Sequence, residues 1–251
     1  MSEWNRVLRS LRPVPLAMVV VMETLLVFEQ PSSVCREKRK MKVTENVYLL
    51  ECTKRSHVYL ITAEDNILID TGMPGLGEKI LEELRGLGVA PNSIRTILLT
   101  HHDVDHVGNA KQLVKATGGE LWAPPEDVPY IIGEKTRPGV KRIIQAVIRP
   151  QKPAAPRCYS INQRFGEVSA IRAPGHTPGH TVFAYRNVLF TGDLFRVIKG
   201  RFRLLPKFMT WDRNELKKSI SLIQGLEFEW LCPSHGEPIQ NGAPCLFSSR
   251  P

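Results

Sequence analysis

A chain of 251 residues has room for one large core or two small ones, since single cores usually stop growing near about 250–300 residues. With 42% hydrophobic and 24% charged residues, and 19 prolines and 18 glycines spread along it, the composition excludes collagen-like, coiled-coil and wholly disordered classes. The excess of 34 Lys and Arg over 25 Asp and Glu, a net +9, favours anionic ligands but is silent about fold. The 5 cysteines (Cys35, Cys52, Cys158, Cys232, Cys245) are odd in number and form no CxxC pair. That pattern excludes a secreted disulfide framework and a zinc ribbon, and makes the cytoplasm the expected compartment.

Residues 1–40 read as an N-terminal extension. Arg6, Arg9 and Arg12 precede an apolar stretch from Val14 to Phe28, and Arg36, Lys38, Arg39 and Lys40 follow it. Pro15 and Glu23 interrupt the stretch, and it is shorter than the ~20 residues a bilayer-spanning helix needs. A helix, a tail or sequence upstream of a start at Met41 is therefore expected, with export or membrane association the lesser reading. Residues 41–251 form the expected domain.

Within it, Val47–Leu50, His57–Thr62 and Asn66–Asp70 have the residue types and length of strands. Leu76, Ile80, Leu81, Leu84 and Leu87 share one helical face, and Gly88 supplies a stop, which predicts a helix over 76–87. A strand is predicted at Arg95–Leu99 and a second helix around Val107, Ala110 and Val114. Strands follow at Val168–Arg172, Val182–Tyr185, Val188–Thr191 and Trp230–Cys232. Asp212, three residues before Glu215, predicts the capped start of a helix carrying Leu216, Ile220 and Ile223.

The histidines cluster at the ends of these strands: His101, His102 and His106; His176 and His180; His235. Strand ends feed loops at one sheet edge, where a rigid scaffold usually carries its ligands and catalytic groups. In the segment from Thr100 to Gly108, His101 and Asp103 are two residues apart, so an extended backbone aims both the same way. The turn into the next helix then lets Asp105 and His106 face a neighbouring centre. Such a mixture of imidazole and carboxylate suits zinc, iron or manganese. His57, inside an apolar strand, reads as a core or interface histidine. The chain holds no GxSxG, no strand-to-helix GxGxxG and no GK[ST] phosphate loop, so serine hydrolase, dinucleotide and P-loop chemistries lack support.

His101 to His106 resembles the HxHxDH signature of the metallo-β-lactamase superfamily. Ala173 to His180, Thr191-Gly192-Asp193 and Pro233 to Gly236 resemble its later metal-binding segments, in order, and Leu68 to Gly72 its strand end. The resemblance covers about residues 41–240 and implies an α+β fold, a four-layer αββα sandwich with a binuclear metal site. By position it implies His101 and His176 on the first metal, Asp105, His106 and His235 on the second, and Asp193 bridging both. Asp103 stands where the signature has its second histidine, which gives the first site a carboxylate donor and makes iron or manganese more competitive; His102, reached by a local twist, is the alternative ligand. Two divalent ions, zinc foremost with iron or manganese as alternatives, are the expected cofactors. Asp70 is either outer support for the metal loop or a strand-ending turn residue. His180 reads as a turn histidine bonded to backbone, with an outer-support role as the alternative. Gly175 and Gly179 allow tight turns around the histidines.

Paired ions can lower the pKa of a shared water from roughly 15.7 towards about 7, so the expected chemistry is hydrolysis by metal-bridged hydroxide, with Asp105 both ligating and orienting it. Ester, thioester and lactone bonds are the expected targets, as in the glyoxalase II-like and lactonase-like branch. The alternatives are an iron oxidoreductase of the persulfide dioxygenase or diiron kind, and a phosphodiesterase or nuclease. Two acid-free basic stretches, 135–157 and 194–211, predict a lid favouring an anionic small molecule, a solvated basic surface being the plainer alternative. Nucleic acid and membrane are not expected partners, because the length after His235 leaves no room for the extra domain of nucleic-acid-processing relatives. A homodimer stays open.

Overall fold

The computed structural model describes residues 41–240 except 138, 149 and 161; the expected extension, Cys35 and Cys245 lie outside the described residues. The first sheet contains β1 (Met41–Thr44), β2 (Val47–Leu49), β3 (Tyr59–Ile61), β4 (Asn66–Ile69), β5 (Ile94–Leu98), β6 (Glu120–Ala123) and β7 (Arg157–Cys158), neighbours in that order. Pairing is antiparallel from β1 to β4, where each strand lies beside the next along the chain, and parallel from β4 to β7. The parallel part needs crossovers. Helices α1 (Gly77–Gly86), α2 (Val104–Val107) and α3 (Ala110–Thr117) supply the first two, and α4 (Val128–Ile131) and α5 (Val140–Ile148) lie in the third.

The second sheet is built from β8 (Arg164–Phe165), β9 (Val168–Arg172), β10 (Thr181–Tyr185), β11 (Val188–Gly192), β14 (Trp230–Pro233) and β15 (Ile239–Gln240). Its spatial order is β15-β14-β11-β10-β9-β8, with β11 and β14 parallel and the remaining neighbours antiparallel. Helix α6 (Arg213–Gln224) makes the β11 to β14 crossover, and β12 (Arg196–Ile198) and β13 (Arg201–Arg203) form a hairpin ahead of it.

The alternation of side chains assigns the layers. Tyr59, Ile61, Ile67, Ile69 and Leu98 point from the first sheet into a core shared with Val168, Phe183, Tyr185, Val188 and Phe190 of the second. Their neighbours Leu60, Leu68, Ile97 and Leu99 face outward against Ile80, Leu84, Ala110 and Leu113 of α1 and α3. Val182, Leu189 and Leu231 likewise face Leu216 and Ile223 of α6. Each such Leu, Ile or Phe contributes about 1.5–3 kcal/mol on leaving water. Helix, sheet, sheet and helix are therefore stacked as the sequence led us to expect.

Two details differ from the sequence reading. The second helix is broken into α2 and α3 at Gly108–Asn109, because the Asn109 side chain is used elsewhere. Its Oδ1 accepts from the Leu76 and Gly77 amides, both at 3.0 Å, and caps α1, while its Nδ2 donates to Thr71 O and Met73 O. His57 precedes β3 rather than lying within it. The cap of α6 follows the expectation: Asp212 Oδ1 accepts from Asn214 N at 2.7 Å and Glu215 N at 3.1 Å.

Candidate metal centre

The ends of β5, β9, β11 and β14 all come to one edge of the sandwich, because β4/β5 and β11/β14 are parallel pairs and the β9–β10 link lies beside the end of β11. The loops leaving them deliver His101 to His106, His176, Asp193 and His235 to that edge. Two groups of donors result: His101, Asp103, His176 and Asp193, and beside them Asp105, His106 and His235, the donor atoms of each group lying within 4.8 Å of one another. Asp193 reaches both. Its Oδ2 is 3.5 Å from His176 Nε2, and its Oδ1 is 3.2 Å from His235 Nε2 and 3.4 Å from His106 Nε2. In the second group His235 Nε2 is 3.3 Å from Asp105 Oδ2. The residues expected from the sequence to share two sites are thus gathered in that division, whereas His102 turns away: its Nδ1 lies 2.8 Å from Asp127 Oδ2 and its ring stacks on Tyr130.

The surrounding residues fix these donors in place. Asp70, at φ 62°, accepts three hydrogen bonds of 2.8 Å: from Thr100 N, from Thr100 Oγ1 and from His106 Nδ1. The last one orients the imidazole so that its Nε2 faces the donor cluster. His180 is bonded to backbone through both nitrogens. Nδ1 meets Ala173 O at 3.1 Å, and Nε2 accepts from Asp193 N at 3.1 Å, which holds the carboxylate's own main chain. Gly192 makes this approach feasible: at φ +53° a Cβ would sit 2.6 Å from His180 Nε2. Gly175 has φ +131°, and a Cβ there would come within 2.2 Å of Leu216 N. His57 joins the two sheets, its amide donating to Ser234 O at 2.9 Å.

Three residues with structural bearing on the site were not singled out from the sequence as belonging to it. Asp127 accepts from His102 N at 3.0 Å and Gly179 N at 2.8 Å, which ties the β5 loop to the β9–β10 loop. Arg137 donates to Asp103 Oδ1 and, at 2.8 Å, to His176 O. Lys141, on α5, donates to Asp103 Oδ2 and lies 3.2 Å from His176 Nε2. Arg137 and Lys141 belong to the basic stretch read as a lid, yet both are buried and spend their charge on Asp103. Their acid-free surroundings were the available signal.

The electrostatics divide the two groups. Burial holds the His101 imidazole well below its ordinary pKa, and burial together with the Lys141 ammonium takes His176 down to about 3, so both are neutral donors. Burial also opposes a charged His106 and His235, but Asp70, Asp105 and Asp193 outweigh it at His106, and Asp193 and Asp105 raise His235 to about 9. Asp193 is held well below the carboxylate range by His235 and His106 in spite of burial, and Asp103 by Arg137 and Lys141.

These residues fit a divalent ion. Asp193 Oδ1 is buried without a hydrogen-bond partner, which would cost about 1–3 kcal/mol in a site never completed by a ligand. Imidazole nitrogens and carboxylate oxygens are the donors that zinc, iron and manganese accept. A layered αββα sandwich with such a cluster at its strand ends defines a metal-binding protein of the metallohydrolase class. Residues 54–235 match the metallo-beta-lactamase superfamily, and the chain belongs to that superfamily.

The chain is 28% identical over 194 residues to the probable metallo-hydrolase YybB of Bacillus subtilis (strain 168), covering 73% of this chain and 81% of that one. It is 29% identical over 129 residues to a hydroxyacylglutathione hydrolase of Methylobacillus flagellatus, covering 51% of this chain and 44% of that protein. Among solved structures, TTHA1623 in a di-iron-bound form is similar at a TM-score of 0.61 and 27% identity, over 74% of this chain and 90% of that one. Among the described residues no helix is long and apolar enough to cross a membrane.

Proposed function

We propose that this chain is a metal-dependent hydrolase of a small ester, thioester or lactone. The observation that carries the reading is the convergence of seven His and Asp donors from four separate strand-end loops, with outer hydrogen bonds that fix their orientation. Relatives named metallo-hydrolase and hydroxyacylglutathione hydrolase support the hydrolytic class. A divalent ion bound here would acidify a water and polarise the scissile carbonyl.

The protein's own residues supply the rest. Asp105 and His235 are the partly exposed members, with side chains 22% and 19% accessible, while His101, His106 and His176 are sealed, so a substrate would enter from the Asp105 and His235 side. Burial alone would raise the Asp105 carboxyl, but His106 and His235 hold it below its ordinary value. Asp105 is therefore a carboxylate at neutral pH, and its Oδ2 can orient an attacking water and take up its proton. The buried Asp70 to His106 bond and the His180 to Asp193 bond keep the donors from turning away as charge shifts during attack. Exposed cations next to the site in sequence, Lys135, Arg142, Lys199 and Arg201, support an anionic substrate.

Zinc is the proposed ion. Iron is the second reading, favoured by the di-iron form of TTHA1623 and by the paired carboxylates Asp105 and Asp193. Metal analysis of unsupplemented protein, followed by a panel of esters, thioesters, lactones and phosphodiesters, tests the proposal. Asp105→Ala and His106→Ala should each lower turnover by several orders of magnitude with circular dichroism unchanged. Full activity in either variant would refute the assignment.

A further inference from the structure

The two donor groups are not equivalent, and the difference lies in Lys141. In the group holding His101, Asp103 and His176, the Lys141 ammonium donates to Asp103 Oδ2 and sits 3.2 Å from His176 Nε2. Those two acceptors are themselves 3.0 Å apart. An ion on the same pair would lie about 2.0–2.2 Å from each, along the lone pairs that the ammonium already faces. Asp103 is also held by Arg137 through its other oxygen, so one carboxylate carries two buried cationic partners. A divalent ion placed there would meet an ammonium at contact distance in a region shut off from water.

The other group is built differently. The ion pairs of Asp105 are to imidazoles, His235 at 3.3 Å and His106 at 3.9 Å, and Asp105 and His235 reach solvent. Asp193 Oδ1 is directed to the same imidazoles and has no hydrogen-bond partner of its own. This group offers two carboxylates and two imidazoles to an incoming ion.

We propose that Lys141 takes the place of one cation, so that the chain carries a single divalent ion, held by Asp105, His106, His235 and Asp193, with a built-in ammonium where a second would bind. The inference rests on the reading of the cluster as a metal centre. It assigns His176, 3.0 Å from Asp103 Oδ2 and 3.2 Å from Lys141 Nζ, to that ion pair rather than to ligation, leaves His101 Nε2 3.6 Å from the same oxygen, and makes Lys141 a positioning residue that fixes the positive charge on the sealed side of the site.

The test is metal stoichiometry. Full-length protein is equilibrated with zinc alone at buffered free concentration, desalted and analysed for zinc per chain. Wild type should retain one ion, His101→Ala should still retain one, and His106→Ala should retain none. Lys141→Met should rise to two, because Asp103 Oδ2 and His176 Nε2 are released, while Lys141→Arg should stay at one. Two ions in wild type would overturn the proposal, as would Lys141→Met remaining at one, or loss of the ion in His101→Ala with retention in His106→Ala. The last comparison decides the matter even where Lys141→Met does not fold. No zinc in wild type would instead remove the metal-centre reading itself, and the proposal with it.

Discussion

Replacement of Asp70 by Asn tests whether the metal loop is held from outside. Asn tolerates the left-handed backbone that Asp70 adopts at φ 62°, so the substitution brings no new strain and removes only charge and one acceptor. The amide oxygen can keep the bond from Thr100 N, now 2.8 Å at Oδ1. The amide nitrogen then stands where Oδ2 accepts from Thr100 Oγ1 and His106 Nδ1, each at 2.8 Å. Facing a donor, His106 must make Nδ1 its acceptor and move the proton to Nε2, the atom directed at Asp193 and Asp105. A protonated Nε2 has no lone pair for an ion. Loss of such an outer partner typically lowers metal affinity by about 10–100-fold, equivalent to roughly 1.4–2.8 kcal/mol, in line with a charged hydrogen bond. Competition for zinc against a chromophoric chelator measures the change, and Asp70→Asn binding within about twofold of wild type would refute the tautomer argument.

Other expectations follow from the same contacts. Gly192→Ala places a methyl 2.6 Å from His180 Nε2 at φ +53° and should cost about 1–3 kcal/mol in urea denaturation; an unchanged midpoint would contradict the packing described. His57 is lowered from 6.5 to about 4, first by burial and then by His235, so the unfolded chain takes up the proton before the folded one. Its contribution, on the order of 3 kcal/mol, is complete above about pH 6.5 and is lost as pH falls towards 4. In metal-free protein, urea midpoints between pH 7 and 5 should therefore fall less steeply for His57→Gln than for wild type, and parallel slopes would exclude the assignment. For an anionic substrate, kcat/KM should drop steeply with added salt while a neutral analogue is unaffected; equal salt response would remove the basic lid.

The parts legible in the sequence were those with local signals. The strand at Val168–Arg172 alternates buried and half-buried residues, that expected at Trp230–Cys232 is an apolar run, and the donor loops concentrate rare residue types at the strand ends. What escaped notice lacked either property. β13 carries arginines at both ends, β12 opens on one and buries only Val197, and β7 and β8 are two residues long, too short for any periodicity to register. The single helix expected around Val107, Ala110 and Val114 is broken because Asn109 serves a neighbouring helix, a contact between residues 32 and 33 positions apart. Asp127, Arg137 and Lys141 are residue types ordinarily found in water. Their burial follows from pairing across 25 to 52 positions with His102, Asp103 and Gly179, which no local pattern encodes.

The seam at this edge of the sandwich has a mechanical consequence. Asp105 and His106 hang from the first sheet, whereas Asp193 and His235 hang from the second, and the main chains already meet where Thr181 N donates to Thr100 O at 3.0 Å. An ion shared by the four would act as a rivet between the halves of the molecule. At a free concentration about a hundred times its dissociation constant it would add about 2.7 kcal/mol against their separation. Chelation should therefore do more than silence the enzyme: it should let the two sheets part at lower temperature.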